Sequence, residues 1–311
     1  MFSQVALIGA GFVGLGWAIV FSRSGFSVKV FDEDKNKRST FTKKVESCLE
    51  DLEVNGLIKE VGNLINNIKV CSSLEETVME ASYVQESIFE DLKLKIELMN
   101  YLDKIVTPNI VIASSSSGIT ASDFSREAHY KNRFIVAHPV NPPYLIPLVE
   151  IVPSLWTSRD SIESTYNLMK EIGQKPIVLN KEIEGFILNR LQGVLLNEAW
   201  ALYRDGYASL EDIDKTISEG LGMRWSFMGP FETIDLNAPG GISDYANRLG
   251  DLYFSVAKSR NNPLPWSQEL IKKVETERRA TLPKNKLPDK QRWRDNLLMK
   301  IKKFKLQYMK G

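Results

Sequence analysis

Residues 5–22, VALIGAGFVGLGWAIVFS, contain no charged side chain, and whatever this chain folds into must bury that run. A membrane span or an export signal would do so. However, Gly9, Gly11, Gly14 and Gly16 disfavour a continuous spanning helix, no basic stretch precedes the run, and no stop-transfer pattern follows it. The better reading is a strand, a turn and a helix. Residues 5–8 have the unbroken apolar character of a buried parallel strand. Gly9-Ala10-Gly11-Phe12-Val13-Gly14 then fits the spacing G-x-G-x-x-G. In that arrangement the first glycine permits the tight turn, the second lets the backbone approach a pyrophosphate, and the third lets the helix pack on the strand. The helix N-terminus turns its free N–H groups toward the anion. Gly25 closes the helix, residues 27–31 read as a second strand, and Asp32 ends it 23 residues after Gly9. A carboxylate there accepts from both ribose hydroxyls of an adenosine and repels a 2′-phosphate. The segment is therefore expected to bind NAD rather than NADP, through Gly9, Gly11, Phe12, Val13, Gly14 and Asp32. Lys35, Lys37 and Arg38 stand close by and weaken that preference. A βαβ unit that binds no nucleotide is the competing reading.

Strand-like and helix-like segments alternate as far as residues 176–179, which predicts a doubly wound, Rossmann-type α/β sheet over residues 1–184. Beyond it, Ile187, Leu191, Val194, Leu195, Ala199 and Leu202 recur at helical spacing and no strand pattern returns. Residues 185–311 are expected to form an all-helical domain. Its last part, 281–311, carries ten basic residues against Asp289 and Asp295. It reads either as an anion-binding arm or as a helix docked through Leu297, Leu298, Ile301 and Phe304, and the apolar spacing favours docking over nucleic acid. The chain as a whole has no drive toward a polyanion: 40 basic and 39 acidic side chains leave a formal charge of +1. Two cysteines, Cys48 and Cys71, exclude a disulfide scaffold, and two histidines, His129 and His138, exclude a histidine-rich metal centre. A cytoplasmic protein with reduced thiols, no metal and no membrane contact is expected.

Ligands of open α/β sheets bind beyond the carboxyl ends of the strands. Two segments end there: the serines 114–117, after a strand at 110–113, and His138, after a strand at 133–137. His138 opens a rigid loop, His138-Pro139-Val140-Asn141-Pro142-Pro143, and Glu150 lies twelve residues on, inside the next strand. A turn between adjacent strands can return Glu150 to the imidazole. A histidine held by a carboxylate has a fixed tautomer and a stabilised protonated form, which is what removal of a hydroxyl proton requires. A purely structural histidine is the alternative. Asn189, at the start of the long helix, can hydrogen-bond the imidazole or a substrate oxygen, or simply face solvent. Ser117 can donate to a reacting oxygen, or serve only the turn.

G-A-G-F-V-G, E-D-L-K-L-K at 90–95, S-S-S-S-G, H-P-V-N-P-P followed by L-V-E, G-F-I-L-N-R and M-G-P-F-E occur in this order. Together they resemble the 3-hydroxyacyl-CoA dehydrogenase superfamily over residues 3 to about 240. The serines 114–117, Gly220-Leu221-Gly222-Met223-Arg224 and the tail Arg292-Trp293-Arg294-Asp295 with Leu298-Met299 are closer to its λ-crystallin, or L-gulonate 3-dehydrogenase, branch. They extend the likeness over nearly the whole chain. The resemblance implies an NAD-binding domain and a helical domain that forms a homodimer. It also implies His138 as base, Glu150 as its partner, Ser117 and Asn189 on the substrate side, and Glu90 and Lys95 near the nicotinamide ribose.

Departures from the acyl-CoA members are informative. Those members carry Asn where this chain has Ser115, and run from Gly through Tyr-Pro to Met-Gly-Pro. Here Gly222-Met223-Arg224-Trp225-Ser226-Phe227 precedes Met228-Gly229-Pro230. A guanidinium grips a carboxylate in bidentate fashion, so Arg224 suits a free hydroxy acid better than a thioester. A surface pair with Glu219 is the alternative. The expected activity is NAD-dependent oxidation of the 3-hydroxyl of a small hydroxy acid, L-gulonate first. An L-3-hydroxyacyl-CoA or carnitine is the alternative substrate, and a non-catalytic, crystallin-like NAD-binding protein is the alternative of another class.

Overall fold

The computed structural model describes residues 4–260 and 264–309. Eight strands form one sheet: β1 (Gln4–Ile8), β2 (Ser27–Phe31), β3 (Ile68–Val70), β4 (Tyr83–Glu86), β5 (Ile112–Ser114), β6 (Phe134–Pro139), β7 (Leu148–Pro153) and β8 (Lys175–Val178). Their order is β3-β2-β1-β4-β5-β6-β7-β8. Strands β1 to β6 are parallel, β7 runs antiparallel to β6, and β8 is parallel to β7. The chain moves outward from β1 to β3, then restarts at β4 on the other side of β1. The strand order reverses there, and the glycine turn sits at that reversal.

The connections are α1 (Phe12–Arg23), α2 (Lys35–Val54), α3 (Val61–Asn66), α4 (Leu74–Val78), α5 (Leu92–Ile105), α6 (Ala121–Phe124) and α7 (Arg159–Glu171). Successive residues of β1 serve two cores. Val5 and Leu7 pack with Trp17, Phe21, Phe41 and Val45 of α1 and α2, whereas Ala6 and Ile8 pack with Met99 and Leu102 of α5. Burying a side chain such as Phe21 contributes roughly 1.5–3 kcal/mol. Helix α1 is buried without a break from Gly14 to Ser22. It lies on the sheet, and the loop after β6 covers it: a Cβ on Gly16 would stand 2.5 Å from Pro143 Cδ. A helix buried all round has no polar face, which is why residues 5–22 read as evenly apolar. Among the described residues, no helix is long and apolar enough to cross a membrane.

The later described residues are helical: α8 (Leu188–Arg204), α9 (Leu210–Lys215), a π-helical turn Thr216–Leu221, α10 (Gly222–Trp225), α11 (Pro230–Leu236), α12 (Gly241–Ser259), α13 (Gln268–Thr281) and α14 (Leu287–Tyr308). The chain forms two compact units. One is Leu191–Arg292; the other holds the residues up to Arg190 and those from Trp293 onward.

Helix α14 packs on the sheet-bearing unit through Leu298 and Met299. This corrects the docking stripe expected from sequence, because Leu297, Ile301 and Phe304 remain 37%, 46% and 56% exposed while Met299 is 3% exposed. The inward face is completed by a lysine, which apolar spacing does not register. Lys302 Nζ donates to the Tyr144 carbonyl at 2.6 Å, and Arg23 Nη1 donates to the same oxygen at 2.9 Å. Lys310 and Gly311 of the basic segment lie outside the described residues.

Burial, and then the charge of Arg23, lower the Lys302 ammonium from 10.5 to about 7. The unfolded chain keeps the ordinary lysine value, so between those two pH values it binds more protons than the fold does. Stability contributed at this site therefore rises with pH across that window. Comparing melting temperatures of the wild type and Lys302→Met from pH 7 to pH 10 should show the difference shifting steadily toward the wild type. A difference independent of pH would contradict the buried amine.

Candidate active site

At the reversal point a cleft of about 810 Å³ is lined by Gly9, Gly11, Asp32, Lys37, Ser87 and Phe89 among others. Gly9 adopts φ +109°, and a Cβ there would stand 2.3 Å from the Ser87 carbonyl oxygen. A Cβ on Gly14 would stand 1.9 Å from the Gly9 carbonyl oxygen, so backbone contacts require both glycines. Gly11 differs, because nothing lies within 4 Å of where its Cβ would be. It begins α1 without a side-chain cap, whereas α2, α4, α5, α6 and α7 each begin on a side chain that accepts a backbone N–H. The first N–H groups of α1 thus keep the room and the bonding capacity that a pyrophosphate uses.

Asp32 closes β2. Ala10 N–H donates to its Oδ2 at 2.8 Å and Asp34 N–H to its Oδ1 at 2.9 Å, leaving acceptor capacity on each oxygen for a ribose hydroxyl. Lys37 Nζ sits 3.5 Å from Oδ2, and Arg38 donates to the Asp32 carbonyl, so two of the three neighbouring cations are engaged by Asp32 itself, while Lys35 is exposed. Phe12 is exposed and Val13 half-buried. The residues present fit the adenosine and pyrophosphate of NAD.

His138 and Glu150 are direct partners in the antiparallel β6–β7 pair. The imidazole Nδ1 lies 2.8 Å from Glu150 Oε2, with His138 6% and Glu150 0% exposed. The other carboxylate oxygen accepts the N–H groups of Ile187 and Leu188 at 2.8 and 2.9 Å. These open α8, so Glu150 also stands at the positive end of a helix. Gly185 and Phe186 deliver them from positive φ, +73° and +50°. That conformation is strained for phenylalanine, and complete burial holds the side chain, whose ring centroid is 5.7 Å from that of His138. Burial pushes the Glu150 carboxyl up. The His138 hydrogen bond and the two backbone donors outweigh it and hold the group below the ordinary carboxylate range. An ionised Glu150 can only accept, so Nδ1 carries the imidazole hydrogen and Nε2 keeps a free lone pair.

The serine loop follows β5. Glu90 gathers it: Oε1 accepts from Ser116 Oγ at 2.6 Å and from the N–H groups of Ser117 and Gly118 at 2.9 and 3.0 Å. Asn189 Nδ2 donates to the Ser117 carbonyl at 2.7 Å, which ties the start of α8 to the loop. Ser117 itself is exposed. Lys95 is turned inward and 1% exposed. Its Nζ lies 2.8 and 2.9 Å from the two oxygens of Glu86 and 3.5 Å from Glu90 Oε2. Ser114 Oγ and Ile88 N–H complete the Glu86 shell at 2.5 and 2.6 Å. Sequence reasoning misses Glu86, although a carboxylate closing a buried strand is a usable signal, since such groups are seldom buried unpaired. Arg224 belongs to α10 in the helical unit, is half-buried, and makes no ion pair among the described residues. Glu219, its expected alternative partner, accepts from Ser218 Oγ at 3.2 Å.

Residues 4–183 match the family model of the 3-hydroxyacyl-CoA dehydrogenase NAD binding domain, and residues 185–282 match that of the C-terminal domain. The lambda-crystallin homolog of Rattus norvegicus is 39% identical over 311 residues, covering 97% of this chain and 96% of its own. An L-carnitine dehydrogenase of Pseudomonas sp is 32% identical over 305 residues, covering 95% and 92%. Among solved structures, a 3-hydroxyacyl-CoA dehydrogenase from Archaeoglobus fulgidus superposes with a TM-score of 0.69 at 27% identity, covering 88% of each chain. With its dinucleotide cleft and both family domains in place, the chain belongs to the 3-hydroxyacyl-CoA dehydrogenase family of NAD-dependent dehydrogenases, on the lambda-crystallin side of it.

Proposed function

We propose that this dehydrogenase oxidises the 3-hydroxyl of a small free hydroxy acid, with L-gulonate to 3-dehydro-L-gulonate as the leading reaction. The observation that carries this reading is the buried His138–Glu150 pair, whose geometry leaves Nε2 as a proton acceptor. Bound NAD supplies the hydride acceptor. Proton handling belongs to the protein: His138 Nε2 takes the hydroxyl proton, and Glu150, kept ionised by the α8 N–H groups, stabilises the imidazolium. Ser117 and Asn189 orient the substrate oxygen; the Asn189 amide, which donates to the Ser117 backbone carbonyl, holds the two side by side and so supports that reading. Glu90, backed by Lys95, holds the serine loop beside the nicotinamide ribose. Arg224 is assigned the carboxylate of the acid, because a guanidinium offers a carboxylate a bidentate grip.

Residues 1–184 bind the cofactor, and residues 185–311 supply substrate and homodimer contacts in a cytoplasmic enzyme, chiefly through the unit Leu191–Arg292, since the chain from Trp293 onward packs with the sheet-bearing unit. Exposed Leu191, Val194, Tyr253 and Phe254 support a second copy as the cover for the helical unit. Carnitine, named in the Pseudomonas relative, also carries a 3-hydroxyl and a free carboxylate, the two groups this reading requires. NADH formation with L-gulonate, carnitine, L-3-hydroxybutyrate and 3-hydroxybutyryl-CoA at equal concentrations tests it. The highest kcat/KM should belong to L-gulonate, and Arg224→Met should raise KM for the free acids about tenfold or more with kcat little changed. A preference for the CoA ester would sink the free-acid reading. Silence with all four substrates, with NAD still bound, would favour a non-catalytic protein.

A further inference from the structure

Buried polar groups on β4 and α1, acting through Ser115 just after β5, dictate which way a hydrogen points beside the glycine turn. The contacts begin at Tyr83, wholly buried, whose hydroxyl donates to Gln85 Oε1 at 3.0 Å. Gln85, also wholly buried, uses Nε2 twice, toward Ser115 Oγ at 2.7 Å and toward the Ala137 carbonyl at 3.3 Å. A carbonyl oxygen can only accept, so the amide cannot sit the other way round. Trp17 Nε1, which can only donate, lies 3.0 Å from the same Ser115 Oγ. Ser115 Oγ thus receives two N–H donors, and both of its lone pairs are used. Its own hydrogen leaves toward the remaining neighbour, Ser87 Oγ, at 2.8 Å. Ser87 Oγ accepts that hydrogen. Its own has no acceptor among the described residues and is left for the cleft that Ser87 lines together with Gly9 and Gly11.

We propose that Ser87 is a cofactor-binding residue whose hydroxyl donates to the nicotinamide-side ribose of the dinucleotide, aimed by the fixed run from Trp17 and Gln85 through Ser115. The sheet order sets the place. Asp32 ends β2 on one side of β1, and Ser87 follows β4 on the other. A dinucleotide with adenosine at Asp32 and pyrophosphate at Gly11 carries its second ribose to the β4 side of the turn. The inference uses the cofactor cleft alone and does not depend on which hydroxy acid is oxidised.

Calorimetric titration of the full-length protein with NAD, ADP-ribose and ADP tests it without turnover. Ser87→Ala should weaken NAD and ADP-ribose about fivefold, the worth of one ordinary hydrogen bond, and leave ADP, which lacks the second ribose, unchanged. Ser87→Thr keeps a hydroxyl and should restore binding. Ser115→Ala keeps the Ser87 hydroxyl but removes what aims it, and should show a smaller loss confined to the same two ligands. Unchanged NAD affinity in Ser87→Ala would overturn the proposal. An equal loss for all three ligands would overturn the ribose assignment, whether it arose from a pyrophosphate contact or from a damaged fold.

Discussion

Replacing His138 by glutamine should lower kcat by a factor on the order of 10²–10⁴, the usual range for a positioned general base, while the Kd for NAD changes less than about twofold. The two readouts separate because the imidazole belongs to the β6–β7 pair, whereas the cofactor contacts gather at the glycine turn and Asp32. Glutamine keeps much of the volume beside Phe186 but cannot accept a proton at neutral pH and then carry it as a cation. Glu150→Gln probes the other half of the pair. The amide nitrogen would meet either the imidazole Nδ1 or the donor pair of Ile187 and Leu188, each of which is now served by a carboxylate oxygen. Facing Nδ1, it would draw the hydrogen to Nε2 and remove the base by changing the tautomer. Facing α8, it would set donor against donor. Either arrangement should cost roughly 10² or more in kcat, because orientation and imidazolium stabilisation fail together. Steady-state kinetics beside NAD titration is the measurement. His138→Gln retaining more than about a tenth of wild-type kcat would reject His138 as the base.

The dinucleotide half of this architecture is written locally, so it can be read early. Gly9, Gly11, Gly14 and Asp32 fall within one strand–helix–strand unit, and each answers a local demand of turn, helix start or strand end. The twelve-residue spacing from His138 to Glu150 is nearly as local, since two antiparallel neighbours joined by one loop place them face to face. The rest depends on contacts that sequence distance hides. Nothing in Glu150 or its surroundings announces that its second oxygen receives α8, because that contact rests on the strained Gly185-Phe186 turn far along the chain. Lys95 and Lys302 sit in helices whose charged residues read as solvent-facing, and only tertiary partners, Glu86 and the Tyr144 carbonyl, account for their burial. Ser115 reads as one serine among four, and its distinct role comes from Trp17 and Gln85, which reach it from other elements.

Lys95→Met should destabilise the fold by about 3–5 kcal/mol, the range for removing one partner of a buried ion pair. Glu86 is 0% exposed and both its oxygens contact Nζ, so the variant leaves a carboxylate with only Ser114 Oγ and Ile88 N–H for compensation. Methionine fills a similar volume, so the loss reflects the stranded charge rather than a cavity. The double variant Lys95→Met with Glu86→Gln removes that charge and should regain more than half of the loss, a non-additivity expected only of direct partners. Urea denaturation of the wild type, both single variants and the double variant measures the coupling. A Lys95→Met variant within about 1 kcal/mol of the wild type would show that Glu86 is not held by this lysine. Activity should not recover with stability. Lys95 also faces Glu90, whose other oxygen holds the Ser117 and Gly118 N–H groups. Burial tends to raise the Glu90 carboxyl, and the Ser116 hydroxyl, the Lys95 charge and the loop N–H groups together bring it below its ordinary range. Without the lysine, one of the groups keeping that carboxylate charged under the loop is gone. The double variant should therefore fold and still turn over more slowly than wild type, because restoring the neutrality of Glu86 does nothing for Glu90.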